Sequence, residues 1–313
     1  MSTSTEGLRR TAPEIFLKFF FFEKIFKQKY IIPTRNILTY IIKKILYFEA
    51  VSLGILVTNF IWEPFHRGFF CGDESLMFPY RSDTVTVPML RIFGLGLPIF
   101  CFLVCEWALL RKETEGQRCL GVPIPSWLQG FYCTLVSFSI GVCFVELTAN
   151  IAKNTIGRPR PHFFEVCQPS IDCTSPEWKG RYIQYNEYHC NGDQIDKFKD
   201  MRMSFLSGHS AWSAYTMVYL ALYLEKRMVW RGTRVLRHVM QFGAVMLSWY
   251  TALSRVSDYK HHWSDVLAGY FMGLTFAVLV WSWGTDFVQK KNQLPPSQAV
   301  EIFKNSFLAD VYV

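Results

Sequence analysis

The chain has 313 residues, of which 50% are hydrophobic and only 19% charged, and its formal net charge is +8. Its basic residues are not gathered into one patch with interleaved aromatic side chains, which argues against nucleic acid as a partner. They flank long apolar runs instead. The composition therefore predicts a protein built around membrane spans rather than around one soluble core.

The first apolar patch, at 16–26, is interrupted by charged residues and predicts a helix lying in the membrane interface. No cleaved secretory signal is expected before it. Six runs of membrane-spanning length follow, so we predict an all-α, polytopic membrane protein with six transmembrane helices and a helical active-site core. The six runs are 45–61, 85–110, 127–151, 207–224, 235–253 and 266–284.

The basic residues also predict an orientation in the membrane. Nine lysine or arginine residues precede the first predicted span, and four more occupy the short fourth loop. By the positive-inside rule, both regions face the cytosol. The chain then divides into a cytosolic N-terminal segment at 1–44, a six-span domain at 45–284 and a cytosolic tail at 285–313. A long extracytoplasmic loop occupies 152–206.

Four cysteines lie on the predicted outer side: Cys71 in the first loop, and Cys167, Cys173 and Cys190 in the third. An oxidising compartment would permit disulfides among them, in any of three pairings that the sequence does not distinguish. No CxxC pair is present, so a zinc site is not predicted.

A first polar cluster, KNTIGRPRP at 153–161, follows the third predicted span. Its prolines stiffen the backbone around Arg160, whose planar guanidinium matches phosphate oxygens, and Lys153 adds a point charge. A basic helix end contacting lipid headgroups is the simpler alternative, although it leaves the prolines unexplained. The cluster indicates a phosphate site.

A second cluster, Ser207-Gly208-His209, opens the fourth predicted span. Ser207 can cap the helix, and the free amides of a helix N-terminus form an anion site that Gly208 lets a ligand approach closely. His209 can donate a proton near neutral pH. For the serine alone, a plain helix cap is the alternative interpretation.

The third cluster, at 254–265, precedes the last predicted span. His261 and Asp265 are four residues apart, so on a helix the carboxylate could accept the Nδ1 proton of the imidazole. That contact would leave Nε2 of His261 as a nucleophile or base. An ordinary surface pair is the alternative, and His262 is interpreted as a packing residue.

Together these clusters resemble the integral-membrane lipid phosphate phosphatases of the type 2 phosphatidic acid phosphatase superfamily, which is related to vanadium haloperoxidases. The family motifs are Lys-x6-Arg-Pro, Pro-Ser-Gly-His and Ser-Arg-x5-His-x3-Asp. Here they read Lys153 to Arg160-Pro161, Leu206-Ser207-Gly208-His209, and Ser254-Arg255 with His261 and Asp265. Leu206, in place of the motif proline, is the single departure. The resemblance covers about 51–284.

The resemblance implies that His261 attacks phosphorus to form a phosphohistidine, that His209 protonates the leaving alcohol, and that Asp265 orients His261. No Mg²⁺ or other cofactor is implied, because fixed groups of the protein stabilise the charge. The groups implied to hold the phosphoryl oxygens are Lys153, Arg160, Ser207, Gly208 and Arg255.

The family's usual substrates are phosphatidate, lysophosphatidate, sphingosine 1-phosphate and ceramide 1-phosphate, and nothing in this sequence ranks them. The expected partners are the lipid phosphate and the bilayer, with the site on the extracellular or luminal face of the plasma membrane or an endomembrane. The sequence leaves the oligomeric state open, a homo-oligomer included. A non-catalytic relative that binds lipids or proteins is the alternative; a transporter is disfavoured because no internal repeat is evident.

Overall fold

The computed structural model describes residues 37–112, 118–119, 122–230 and 232–289. The predicted interfacial helix at 16–26 lies outside these residues, as do most of the N-terminal segment and nearly all of the C-terminal tail. The structure is mostly helical, as the sequence predicted, with a few very short strands.

The helices are α1 (Ile37–Leu56, continued by a π-helical turn, Val57–Ile61), α2 (Val87–Leu110), α3 (Ser126–Ile156), α4 (Phe163–Cys167), α5 (Gly208–Arg227), α6 (Arg234–Ser257) and α7 (Trp263–Gln289). The strands are β1 (Phe69–Phe70), β2 (Arg118–Cys119), β3 (Val122–Pro123) and β4 (Tyr182–Ile183). Strand β1 pairs antiparallel with β4, and β2 with β3. Short 3-10 helices occupy Glu74–Leu76, Tyr185–Glu187, Ile195–Lys197 and Asp200–Arg202.

Each predicted span overlaps a helix of 20 residues or more. Within the described residues, three helical segments are long and apolar enough to cross a membrane by length and composition: α2, α3 and the part of α7 at Trp263–Trp283. Only a shorter apolar stretch, Phe48–Ile61, runs from α1 into the π-helical turn. The other two long helices, α5 and α6, carry more polar residues.

The polarity of α5 follows from its position at the centre of the helical bundle. It packs against α6 and α7 and also contacts α2 and α3. Its polar side chains therefore face protein, and the Tyr215 hydroxyl donates a hydrogen bond to the Phe138 carbonyl on α3 at 2.8 Å. Helix α6 instead presents exposed Val239, Phe242 and Trp249, as expected of a surface in contact with lipid.

Two glycines bring α7 unusually close to α5. A β-carbon at Gly269 would lie 2.4 Å from the carbonyl oxygen of Ser207, and one at Gly273 would lie 2.2 Å from that of Ala211. Small residues four apart allow such close approach of two helix backbones. Because Ser207 stands at the start of α5, this contact joins the beginnings of two helices that carry predicted site residues.

The first and third loops pack on each other beside the bundle. Their apolar cluster includes Phe69, Phe163 and Ile183, all buried. Two disulfides join the same region, Cys71–Cys173 and Cys167–Cys190. This is one of the three pairings that the sequence left open, and it ties the first loop to the third.

Candidate active site

The first motif lies where α3 ends. Lys153 is in the last turn, and the helix stops at Gly157, whose φ of 58° is left-handed. A β-carbon at Gly157 would lie 1.9 Å from the carbonyl oxygen of Phe65, so only glycine fits there. The backbone therefore turns sharply away from the helix and carries Arg158 and Arg160 toward the third loop.

Arg160 is buried, and only some of its hydrogen-bond donors have a partner. One guanidinium nitrogen donates to Oδ1 of Asp200 at 2.5 Å, and the Arg160 backbone N–H donates to the Met201 carbonyl at 2.8 Å. Its Nε is buried with no hydrogen-bond partner among the described residues. A buried donor without an acceptor is costly, so this group has unused capacity for an anion.

The second motif opens α5, as predicted. The Ser207 side chain accepts the Ser210 N–H at 3.4 Å and caps the helix. A β-carbon at Gly208 would lie 3.1 Å from the Lys153 ammonium, so the free helix amides and that cation face the same space. The Nε2 of His209, in the first turn, is buried and has no partner in the described part of the chain.

The third motif bridges the end of α6 and the start of α7. Arg255, in the last turn of α6, is 1% exposed. Its guanidinium donates to Oδ1 of Asp83 at 2.8 Å and to Oδ2 of Asp258 at 2.7 Å. Arg255, which was predicted to bind phosphate, is therefore paired with two carboxylates in this structure.

His261 has the tautomer that a nucleophile needs. Its Nδ1 lies 2.6 Å from the Ser204 carbonyl oxygen, so Nδ1 carries the proton and donates it, and Nε2 keeps a free lone pair. Burial, together with the positive charges of Arg160 and Lys153, holds the pKa of His261 well below its usual range. The imidazole is therefore neutral at physiological pH.

The direct contact predicted between His261 and Asp265 is absent, and that prediction was wrong. The carboxylate instead accepts hydrogen bonds from Arg158 at 2.5 Å and from the Ser204 hydroxyl at 2.6 Å, and from His262 Nδ1 at 3.2 Å. Helix α7 begins only at Trp263, so His261 does not occupy the helical position that would put it over Asp265. His262 takes that contact and is not merely a packing residue.

The structure nevertheless brings the three motifs to one end of the bundle. The Ser207 N–H donates to the Asp265 carbonyl at 3.1 Å, and the Ser204 N–H donates to that of Arg158 at 3.0 Å. His209 is within electrostatic reach of Arg255, Lys153 and Arg160. The residues assembled at the ends of α3, α5, α6 and α7 are Lys153, Arg160, Ser207, Gly208, His209, Arg255, His261 and Asp265.

Several contacts of these residues were missed from the sequence. Arg158 lies inside the first motif, and its positive charge could have predicted a carboxylate partner in the site. Nothing in the local sequence around Ser204 or Asp83 indicates a role in the site, because each acts through a contact with a distant part of the chain. Among the described residues, no three histidine, cysteine, aspartate or glutamate side chains are grouped so that they could hold a metal ion. The expectation of a metal-free site stays a prediction.

Comparison with known proteins places this arrangement in a family. The model of the PAP2 superfamily matches residues 134–289, which include all three motifs. A Drosophila melanogaster protein named "Putative phosphatidate phosphatase" is 40% identical over 283 residues, covering 82% of this chain and 74% of that protein. The chain belongs to the PAP2 superfamily. Together with the phosphatase names of its relatives, this membership identifies the chain as an enzyme of the phosphatase class.

Other PAP2 relatives agree over most of the chain. "Phospholipid phosphatase 1" of Rattus norvegicus is 38% identical over 258 residues, which are 80% of this chain and 86% of that protein. "Phospholipid phosphatase 2" of Homo sapiens is 32% identical over 265 residues, 84% of this chain and 87% of that protein. No solved structure matches this PAP2 chain significantly. The resemblance drawn from the motifs is thereby confirmed.

Proposed function

We propose that this PAP2 protein removes phosphate from a lipid phosphate monoester through a phosphohistidine on His261. The observation that carries the proposal is the His261 tautomer, since Nδ1 donates to the Ser204 carbonyl at 2.6 Å and leaves Nε2 free. A neutral, buried imidazole surrounded by fixed cations is suited to attack a phosphate.

In the proposed reaction, Nε2 of His261 attacks the phosphorus in line with the departing lipid oxygen. The P–O bond to the lipid breaks, and His209 gives that oxygen a proton to release the alcohol. Water then attacks the phosphohistidine, with His209 now accepting a proton, and inorganic phosphate leaves. The Nε2 of His261 is restored.

Charge on the phosphoryl oxygens would be stabilised by Lys153, by the amides at the start of α5 and by Arg160 with its unused Nε. Lys153 and Gly208 are close together, and Arg160 lies within electrostatic reach of both histidines, which supports one shared site for these groups. Arg255 would join them once a guanidinium donor is released from its carboxylate partners. We propose that these fixed groups replace a metal ion.

Phosphatidate is the first substrate to test, because the relatives described above include proteins named "Putative phosphatidate phosphatase" and "Phospholipid phosphatase 1". Lysophosphatidate, sphingosine 1-phosphate and ceramide 1-phosphate are the other proposed substrates. All four present a phosphate monoester on an apolar tail, and a site at the end of a helical bundle suits this common form.

We also propose six transmembrane helices, with the site on the extracellular or luminal face and both termini in the cytosol. Two observations support this topology. The motifs lie at one end of the bundle, and the loops beside them contain two disulfides, which form in oxidising compartments. The positive-inside rule independently predicts the same orientation.

The direct test is phosphate release from short-chain phosphatidate by purified protein in detergent with excess EDTA. We expect wild type and His189→Ala, a change at an exposed loop position, to release phosphate, and His261→Ala to be inactive although folded. Substrate labelled on phosphorus should leave an acid-labile label on wild type and His189→Ala but not on His261→Ala. Activity in His261→Ala would exclude the nucleophile assignment. Failure of folded wild type with all four lipids would favour a non-catalytic lipid-binding protein.

A further inference from the structure

Arg255 is held by two carboxylates that are anchored very differently. Asp258 is 7% exposed, lies three residues along the same chain segment, and also accepts hydrogen bonds from the N–H and hydroxyl of Thr84 at 2.8 and 2.6 Å. Asp83 comes from the first loop, and its side chain is 37% exposed. Its Oδ1 meets Arg255 at 2.8 Å and lies 4.0 Å from the Lys260 ammonium.

Such a cluster has no net positive charge for a phosphate. Arg255 and Lys260 contribute two positive charges, and Asp83 and Asp258 contribute two negative ones. A phosphate can gain the full benefit of the guanidinium only if one carboxylate withdraws, because two carboxylates against the same guanidinium repel the phosphate and cancel the attraction of the cation. Withdrawal of Asp258 would break its bonds to Thr84 in a buried site, which is costly.

Asp83 is the carboxylate that can leave at low cost. It is already partly hydrated, and it precedes α2 in a stretch of the first loop without helix or strand. Water can solvate the separated Asp83 carboxylate, and the buried Arg255 keeps Asp258 as its partner, so opening this pair costs less than opening the fully buried one. Departure of Asp83 would free one guanidinium nitrogen while Asp258 keeps Arg255 oriented.

We propose that Asp83 acts as an internal stand-in for the substrate phosphate, occupying Arg255 in the empty enzyme and yielding it when the lipid phosphate binds. This inference rests on the proposed function. Asp83 is a positioning residue, since it acts through Arg255. The return of Asp83 to Arg255 after hydrolysis would help to expel inorganic phosphate. Asp83 would therefore weaken phosphate binding and speed product release.

The test compares Asp83→Asn with Glu74→Gln, which removes the same charge from an exposed position in the same loop. The probe is inorganic phosphate, measured as an inhibitor of hydrolysis and by direct calorimetric binding. For Asp83→Asn we expect both the inhibition constant for phosphate and KM to fall about five- to tenfold, since a competing anion is gone. The turnover number should fall by less, through slower phosphate release. Glu74→Gln should match wild type within about twofold.

Two further variants make the outcome decisive. Asp83→Glu keeps the negative charge and should keep phosphate inhibition close to wild type. Asp258→Asn should lower turnover and the thermal midpoint without tightening phosphate, because Arg255 loses its buried anchor. Unchanged or weaker phosphate binding in a folded Asp83→Asn protein would overturn the proposal, as would equal tightening in Asp258→Asn. If wild type neither hydrolyses lipid phosphates nor binds phosphate, the proposed function fails first, and this inference fails with it.

Discussion

Ser204 joins His261, the proposed nucleophile, to the carboxylate of Asp265. It is fully buried, its carbonyl accepts from His261, and its hydroxyl donates to Asp265. Asp265 also holds Arg158 and His262, so one carboxylate organises residues from three segments of the chain. Because Asp265 reaches His261 only through Ser204 in these contacts, we expect it to act as a positioning residue, and the loss of its charge should lower turnover without removing the chemistry.

Asp265→Asn is expected to lower the turnover number about a hundredfold, the typical cost of a displaced catalytic group. The amide keeps the size of the side chain but loses the charge that Arg158 pairs with. The phosphohistidine should still form, more slowly, which rapid-quench labelling would measure. Asp193→Asn, the same change on an exposed loop, is the control. Turnover within threefold of wild type would contradict this role, and so would complete loss of labelling.

His162 makes stability depend on pH. It is 1% exposed, and its Nδ1 donates to the Tyr259 carbonyl at 2.9 Å. Burial, aided by nearby Arg160 and Lys260, lowers the pKa of His162 to about 4 despite that hydrogen bond. In the unfolded chain the pKa of histidine is about 6.5. Between about pH 6.5 and 4 the unfolded state therefore binds a proton at His162 that the folded state does not bind. Stability must fall as pH drops from about 6.5 to about 4.

The size of this loss is about 3 kcal/mol for the full shift in pKa. His162→Asn, which can still donate to a carbonyl, should therefore flatten the dependence of stability on pH between about 6.5 and 4 by roughly one proton. Thermal unfolding in detergent across this range measures it, with His189→Asn on an exposed loop as control. An unaltered slope in His162→Asn would show that this imidazole is not buried as described.

At the scale of the elements, the contact between α5 and α7 decides where the motifs meet. Gly269 lets the α7 backbone reach the Ser207 carbonyl, and the Ser207 N–H donates to the Asp265 carbonyl at 3.1 Å. The second and third motifs are thus joined by backbone contacts rather than by side chains. A change in helix separation should disturb both at once.

Gly269→Ala should accordingly destabilise the protein by about 1 to 3 kcal/mol. The added β-carbon would lie 2.4 Å from the Ser207 carbonyl oxygen, and relieving that overlap requires one of the two helices to move. Activity should fall together with the thermal midpoint. Gly243→Ala on α6 has nothing within 4 Å of its β-carbon and should leave the midpoint unchanged or slightly raised. Equal midpoints for the two variants would mean that α5 and α7 are less closely packed than described.

The whole molecule combines a helical bundle with a disulfide-linked pair of loops. The first and third loops share an apolar cluster and the Cys71–Cys173 bridge, and Thr84 and Asp83 of the first loop contact the third motif. The loops are therefore part of the support of the site. Their position also sets the membrane face on which the chemistry would occur.

The topology can be tested with epitope tags at both termini and a protease site inserted in the exposed third-loop stretch at 174–180. In intact cells or sealed microsomes we expect the third loop to lie on one side of the membrane and both tags on the other, so that added protease reaches either the loop or the tags but not both. Digestion of the loop should leave the tags inaccessible until the membrane is permeabilised. A tag exposed on the same side as the loop would mean an even number of spans between them and would exclude the three that we propose.

The sequence by itself determined the helices and the family, and it predicted the site chemistry, because apolar length and motif spacing are local properties of the chain. It predicted Lys153, His209 and His261 in a shared site by counting spans. Only the tertiary structure decided the disulfide pairing, the Ser204 link and the contact between Asp83 and Arg255, which are 172 residues apart. Such contacts depend on how helices and loops pack after the chain folds back, and local spacing does not encode them.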